Sequence, residues 1–239
     1  MVNKKDKNKK TIGILGGMGP LATSDLFKKI IDVTDADKDQ DYPRVLIDNN
    51  TNIPDRTMAI LHGGESPVPE MVRSATVLSE MGADVLIIPC NTAHYFYNVI
   101  ADSVTIPVLN MIKETAAEAL AKGCKKAGLL ATDGTIHTGI YSNVFKSSGI
   151  EMIVPEGDRQ AAVMDIIYKG VKAGKKEYDV TDYNNTIQDL FDRGAETVIL
   201  GCTELPLAMN LYNVKASSID PTMALAKAAV RFSRYNVKN

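Results

Sequence analysis

Hydrophobic residues along the chain follow two alternating patterns. Short apolar runs of strand length alternate with longer stretches in which apolar residues recur at helical spacing, as on one face of an amphipathic helix. The predicted strands are residues 11–15, 44–48, 85–88, 106–110, 127–131 and 152–154, together with the run that ends at Cys202. The predicted helices are residues 21–33, 69–81, 158–172 and 182–193, together with segments that begin at Asn91, end at Gly123, contain Tyr141 and Phe145, or close the chain.

This order of elements predicts an α/β fold. Strands separated by helices of this length need right-handed crossovers, which give parallel sheets with helices on both faces. Within residues 21–33, an apolar helix face is predicted from Leu26, Phe27, Ile30 and Ile31. In such sheets ligands bind at the carboxyl ends of the strands, and the polar turns of this chain lie there.

An internal repeat divides the chain into two halves. The segment MGADVLIIPCNT at residues 81–92 is answered by RGAETVILGCTE at residues 193–204. A second match, at nearly the same offset, aligns TIGILGGMG at residues 11–19 with KAGLLATDG at residues 126–134. Two matches at nearly one offset indicate a duplicated half. The terminal helix is expected to return to the first half, with Asp220 in the place that Asn110 takes earlier.

The repeat places Cys90 and Cys202 at equivalent positions, each at the end of a strand and beside small polar residues. We therefore expect two pseudo-symmetric parallel-sheet α/β domains with the active site in the cleft between them. The first domain is predicted to comprise residues 11–107 and 213–239, and the second residues 108–212. Residues 1–10 are predicted to be a disordered basic tail.

Composition excludes several classes of partner. A net charge of −2 over 239 residues gives no field that would gather nucleic acid or a membrane surface, and no apolar run approaches membrane-spanning length. The lysine-rich N-terminus lacks the apolar core of a signal peptide. Three cysteines without a secretion signal indicate a reducing compartment, so we expect a cytoplasmic protein. Cys124 has no counterpart in the other half and is predicted to be structural.

The turn after the first predicted strand could alternatively belong to a dinucleotide-binding site. GMGPLA at residues 17–22 satisfies the glycine fingerprint after a strand, and Asp48 ends the next strand, where a ribose ligand would lie. Against this site, Pro20 occupies the middle of the fingerprint and Asp48 comes too late in the chain. A nicotinamide site also has no use for two equivalent cysteines.

Metal, hydrolase and purely structural interpretations compete for the cysteines. Zinc could use Cys90, His94 and Cys202, but the chain has only three histidines and no paired metal-ligand motif. A hydrolase could pair Cys90 with His94 as nucleophile and base, which leaves Cys202 unexplained. His94 is as plausibly a helix-surface or supporting residue. Both cysteines could also be small buried hydrophobes, but that does not explain the polar residues that follow each of them.

Two equivalent thiols across a cleft suit the inversion of a carbon centre. Inversion by proton transfer needs a base on one face and an acid on the other, and a thiolate and a thiol can exchange these roles. A free cysteine has a pKa of about 8.5, so only a few per cent is thiolate at neutral pH. Helix placement, hydrogen bonds and a closed site must therefore favour the thiolate.

Six motifs resemble the cofactor-independent aspartate/glutamate racemase superfamily, most closely its aspartate racemase branch. The motifs are GGMGP at residues 16–20, IPDRT at 53–57, PCNTAH at 89–94, LATDGT at 130–135, GVKAG at 170–174 and GCTEL at 201–205. They occur in the family's order and span nearly the whole chain after the tail. The resemblance implies Cys90 and Cys202 as the two acid/base residues.

The resemblance also implies the substrate-binding residues. Ligands of the α-carboxylate and ammonium are expected at Asn91, Thr92, Thr132 and Thr203, and backbone lining at Met18 and Gly19. Arg56 and Lys172 resemble the cations that hold the distal carboxylate, although Lys169 lies one turn earlier on the same helix. Glu204 is also expected among the substrate-binding residues. Glutamate racemases typically carry His at this position, so Glu204 favours aspartate over glutamate.

The prediction is thus a cytoplasmic aspartate racemase that needs neither pyridoxal phosphate nor metal and forms a homodimer. Alternatives within the superfamily are a glutamate or broad-specificity acidic amino-acid racemase, or a maleate isomerase-like enzyme. A non-catalytic protein that binds acidic amino acids is the alternative from another class.

Overall fold

Two parallel sheets form the framework of the protein in the computed structural model, which describes residues 9–238. The predicted tail lies almost entirely outside the described residues. The first sheet has the order β2-β1-β3 and contains β1 (Ile12–Gly16), β2 (Val45–Asn49) and β3 (Val85–Ile87). The second has the order β5-β4-β6-β7 and contains β4 (Lys126–Ala131), β5 (Glu151–Ile153), β6 (Thr197–Gly201) and β7 (Ser218–Ile219). The predicted α/β class with parallel sheets is confirmed.

Helices connect the strands in both halves. The α-helices of the first half and of the crossover are α1 (Pro20–Val33), α2 (Arg56–Leu61), α3 (Val68–Glu80), α4 (Tyr97–Asp102) and α5 (Met111–Ala121). Those that follow are α6 (Asp133–His137), α7 (Ile140–Ser147), α8 (Asp158–Asp165), α9 (Thr181–Asp192), α10 (Glu204–Leu211) and α11 (Pro221–Phe232). Asp39–Asp41 and Thr92–Phe96 are 3₁₀-helices, and Ile166–Lys172 is a π-helix that continues α8. Within residues 9–238, no helix is long and apolar enough to cross a bilayer.

The repeat seen in the sequence is a repeat of structure. The strand order β2-β1-β3 of the first sheet matches the order β5-β4-β6 of the second. The second sheet continues with β7, which pairs with β6, and the equivalent position beside β3 in the first sheet is taken by an isolated bridge between Leu86 and Val108. Gly82 and Gly194 follow the equivalent helices α3 and α9 with φ of 91° and 92°, a conformation that costs glycine little.

Equivalent side chains also cap the last helix of each half. The Asn110 side chain accepts from the first-turn amides of α5, and the Asp220 side chain does the same for α11. The predicted correspondence of Asn110 and Asp220 is therefore confirmed.

The last helix of each half packs on the sheet of the other half. On α5, Ile112, Ala116 and Ala119 lie in one core with β4, whereas Leu225 and Ala226 of α11 lie in another with β1. The two helices also pack against each other. The terminal helix therefore packs on the first sheet, and each half is completed by the other.

The chain leaves the first sheet after Val108, which bridges to β3, and leaves the second sheet after β7, which pairs with β6. One expectation needs correction. The apolar face of α1 is narrower than predicted: Leu26 and Ile30 are buried, whereas Phe27 and Ile31 are 36% and 38% exposed. The sheet covers only one stripe of this helix, so the adjacent apolar positions stay at the surface.

Candidate active site

A small cleft lies between the two halves, at the carboxyl ends of β1, β3, β4 and β6. It contains about 310 Å³ of empty space, part of which is open to solvent. The lining residues are Met18, Asp55, Arg56, Thr57, Cys90, Asn91, Thr92, Thr132, Tyr168, Lys172, Cys202, Thr203 and Glu204. The structure thus brings together every predicted site residue except Gly19. A Cβ atom added to Gly19 would lie 3.8 Å from Oε1 of Glu204, so Gly19 borders the cleft.

His94 holds the Cys90 loop in place. The Met111 amide donates to Nε2 of His94 at 3.0 Å, so this nitrogen carries no proton, and Nδ1 donates to the Cys90 carbonyl at 2.8 Å. Complete burial lowers the pKa of His94 from 6.5 to about 4. The imidazole is therefore neutral and has both nitrogens engaged with backbone, which leaves it unable to act as the base for Cys90.

Three threonine hydroxyls join the halves on one side of the cleft. The Thr92 hydroxyl lies 3.1 Å from that of Thr132 and 2.8 Å from that of Thr135. Thr132 also caps α6 by accepting from the Thr135 amide. Thr135, which lies one turn beyond Thr132, fixes the orientation of two predicted substrate ligands.

Arg56 is the buried cation of the cleft. It is 8% exposed, and its guanidinium donates to the carbonyls of Pro54, at 2.8 Å, and Met18, at 3.2 Å. The same group interacts electrostatically with the side chain of Cys90, and its Nε is buried without a partner. Burial lowers the pKa of Arg56, but its electrostatic interactions with Cys90 and Asp55 outweigh burial and raise it. Arg56 thus stays charged beside one of the two thiols.

The structure distinguishes the two candidate lysines. Lys169 is exposed and pairs with Asp165 at 2.8 Å, away from the cleft. Lys172 lines the cleft at its mouth, where its ammonium lies 4.4 Å from the centroid of the Tyr168 ring. Burial of the ammonium lowers the pKa of Lys172, but Glu204 and Cys202 outweigh burial and raise it. Lys172 is the lysine placed to meet a ligand, and it remains a cation.

Cys202 has an acidic neighbour instead of a basic one. Its Sγ donates to Oε2 of Glu204 at 3.0 Å, and the Thr203 hydroxyl donates to the same oxygen at 3.2 Å. Burial and the Glu204 carboxylate raise the pKa of Cys202 well above its usual range, while Lys172 opposes them. The repeat therefore places two equivalent thiols in opposite electrostatic surroundings: Cys202 is held as a thiol, and Cys90 faces a guanidinium.

Features outside the cleft bear on the competing interpretations. Cys124 is buried in the core of the second half with its Sγ 3.5 Å from the Lys126 carbonyl, so it is structural, as predicted. Within residues 9–238, no group of three His, Cys, Asp or Glu side chains has the arrangement of a metal site. The zinc interpretation finds no support in the described part of the chain.

A sequence profile of Asp/Glu/hydantoin racemases matches residues 15–229. The chain belongs to this family. It is a racemase fold over nearly its whole length, and the superfamily resemblance carried by the six motifs is confirmed.

Individual relatives of this racemase differ in their substrates. The broad specificity amino-acid racemase RacX of Bacillus subtilis (strain 168) is 30% identical over 223 residues, which cover 92% of this chain and 96% of the relative. The structure of Picrophilus torridus aspartate racemase shares 32% identity and a TM-score of 0.82, with 96% of each chain covered. Glutamate racemase from Francisella tularensis subsp. tularensis SCHU S4, solved in complex with D-glutamate, is 17% identical with a TM-score of 0.64, which shows a common fold alone.

Three residues of this racemase cleft were not predicted from the sequence: Asp55, Thr57 and Tyr168. Asp55 and Thr57 flank Arg56 in one motif, and Tyr168 precedes Lys172 by one helical turn, so all three could have been found from the neighbours already chosen. Tyr168 contacts the Lys172 ammonium at the mouth of the cleft, where Thr57 of the first half also lines the space.

Proposed function

We propose that this racemase interconverts L- and D-aspartate by a two-base mechanism that uses neither pyridoxal phosphate nor a metal. The observation that carries the proposal is the pair of equivalent cysteines in one small cleft. Cys90 and Cys202 follow strands β3 and β6, which occupy equivalent places in the two sheets, and both thiols line the space between them. One base on each side of a substrate carbon is what inversion requires.

The different surroundings of the thiols support a division of labour. Cys90, beside the Arg56 guanidinium, takes the α-proton as a thiolate, and the displaced electron pair is held by the substrate α-carboxylate. Cys202, held as a thiol by Glu204, delivers a proton to the opposite face of the carbon. The enzyme is left with Cys90 as a thiol and Cys202 as a thiolate, which is the form that acts on the other enantiomer.

The polar lining supports an acidic amino acid as substrate. Asn91, Thr92, Thr132 and Thr203 supply neutral hydrogen-bonding groups near the thiols and are proposed to bind the α-carboxylate and ammonium, with Met18 and Gly19 as backbone lining. Arg56 and Lys172 are proposed to hold the distal carboxylate. The unpaired, buried Nε of Arg56 supports this role, since an accepting group from a ligand would satisfy it.

A broader specificity is the second candidate, because RacX, which resembles most of this chain, is a broad specificity racemase. Glu204 in place of the usual histidine of glutamate racemases favours aspartate over glutamate. The two candidates make different predictions for neutral amino acids. A site built around two cations rejects alanine and asparagine, because these substrates leave the buried guanidinium without its partner.

The test is incubation of the purified protein with L-aspartate in D2O, followed by NMR of the α-proton and polarimetry. Exchange of the α-proton with loss of optical activity is expected. Binding of aspartate without exchange would identify a non-catalytic binding protein instead. Comparison of kcat/KM for aspartate, glutamate, asparagine and alanine then decides specificity, and equal efficiency with alanine would refute the acidic-substrate assignment.

The cytoplasmic location and the homodimer are also proposals. The three cysteines are all free, which fits a reducing compartment. Light scattering coupled to size exclusion measures the oligomeric state directly, and a monomer at micromolar concentration would contradict the dimer.

A further inference from the structure

Asn91 follows Cys90 directly and has only half of its amide satisfied. It is 2% exposed and lines the cleft, and its Oδ1 accepts from the hydroxyl of Tyr141 at 2.5 Å. Its Nδ2 is buried without a partner. Buried amide donors are normally paired, so two unpaired N–H groups at the wall of a cleft point to a ligand that accepts from them.

Tyr141 itself lies outside the cleft. It is fully buried on α7, in the core of the second half, with its ring 5.8 Å from that of Phe145. Burial raises the pKa of Tyr141 well above its usual range, so the phenol keeps its proton and remains a donor at any pH at which the enzyme works. The bond to Asn91 crosses from the second half to the first.

The hydroxyl decides which end of the amide faces the substrate. With Oδ1 held by the phenol, both N–H groups of Asn91 are available to a carboxylate. With the amide turned by half a rotation, Oδ1 would face the cleft and repel a carboxylate. Donors preset toward the site where negative charge grows during proton abstraction lower the barrier as well as aid binding.

We propose that Tyr141 is a positioning residue that fixes the Asn91 amide with its N–H groups toward the substrate α-carboxylate. This inference rests on the proposed function in taking an amino acid as the ligand. Because the two residues belong to different halves, the bond also makes the binding geometry depend on the packing of the halves against each other.

The test compares two tyrosine hydroxyls that are buried alike. Tyr141→Phe removes the hydroxyl that contacts Asn91. Tyr183→Phe is the matched control, since Tyr183 is 2% exposed in the core of the same half, lies outside the cleft, and has a hydroxyl without a partner. We expect kcat/KM to fall about tenfold for Tyr141→Phe, the size of one hydrogen bond, and to stay parental for Tyr183→Phe. Thermal melting of both variants reports folding.

A double-mutant cycle with Asn91→Ala separates positioning from general support of the fold. Once the amide is gone, removal of the Tyr141 hydroxyl should change kcat/KM no further. A tenfold loss that persists in the Asn91→Ala background would show that Tyr141 acts independently of Asn91 and would overturn the inference. Parental kcat/KM in Tyr141→Phe would overturn it as well.

Calorimetric titration with aspartate separates failure of this inference from failure of the proposed function. If the parent exchanges no α-proton, the proposed function fails, and the same cycle is carried out on aspartate affinity. Coupled losses in Kd would then uphold the positioning role, and additive losses would refute it. If the parent racemises a different amino acid, that amino acid replaces aspartate in both measurements.

Discussion

Acidification should destabilise this protein through one identifiable histidine. His94 is buried, and its Nε2 accepts a hydrogen bond from the Met111 amide. A proton on Nε2 would make this nitrogen a donor facing another donor. Its pKa is lowered from 6.5 to about 4 in the folded state. Between those values the unfolded chain binds the proton and the folded protein does not, so the free energy of unfolding falls as pH falls through this window.

The magnitude follows from the two pKa values. At about 1.36 kcal/mol for each unit of pKa, the difference between 6.5 and about 4 corresponds to about 3 kcal/mol of stability. This contribution is fully present above pH 6.5 and is lost by about pH 4. For a domain of marginal stability, about 3 kcal/mol is a large share of the total.

Urea unfolding at pH 7.5 and pH 4.5 measures this loss in the parent and in His94→Gln. Glutamine can still donate to the Cys90 carbonyl and accept from the Met111 amide, but it does not titrate. The variant should be less stable at pH 7.5, because its fit is poorer, and its stability should fall less on acidification than that of the parent. His62→Gln, at an exposed position, is the matched control and should keep the parental dependence on pH. If the free energy of unfolding fell equally on acidification in the parent and in His94→Gln, protonation of His94 would not be the cause of the loss.

Three further predictions concern the cleft. Cys90→Ser and Cys202→Ser should each abolish racemisation in both directions, whereas Cys124→Ser should retain it; near-parental turnover in either of the first two would refute the two-base mechanism. Arg56→Ala should lower kcat/KM for aspartate by about 30-fold to several thousand-fold, which corresponds to about 2 to 5 kcal/mol. Arg56→Lys should recover only part of this kcat/KM, because an ammonium cannot donate two parallel hydrogen bonds to one carboxylate as a guanidinium can. Burial is the largest cause of the raised pKa of Cys202, and the Glu204 carboxylate is the next. Glu204→Gln should therefore lower the pKa of Cys202, so that the rate begins to fall on the alkaline side at a lower pH than in the parent. An unchanged alkaline limb would exclude Cys202 as the acid.

The framework could be predicted because local pattern and internal repeat agree. Both cysteines follow strands whose apolar runs and preceding glycines match, so their equivalence was visible before any contact was known. The six motifs then located the polar turns that meet at the cleft. What the sequence could not supply was the contrast between the two thiols. The acidic neighbour of Cys202 is Glu204, two residues away in the sequence, but the cation beside Cys90 is Arg56, which is distant in sequence and approaches only through the fold.

Other features depend on helix rotation or on distant partners. Lys169 and Lys172 are three positions apart, so a helix pattern places both on one face. In the structure, each contacts the residue four positions earlier, and only Lys172 reaches the cleft. Tyr141 lies on an apolar helix face, so the sequence pattern alone predicts an ordinary core residue. Its role depends on the hydrogen-bond partner of its hydroxyl, Asn91, which lies in the other half.

The exchanged positions of α5 and α11 bear on the origin of the site. Each sheet lacks one covering helix unless the other half supplies it. Two copies of a half-length chain that exchanged their last helix would form the same framework, with one thiol from each copy facing the shared cleft. The chain therefore has the architecture of a covalently joined dimer, and because its two halves lie in one chain, the two equivalent thiols can have different neighbours.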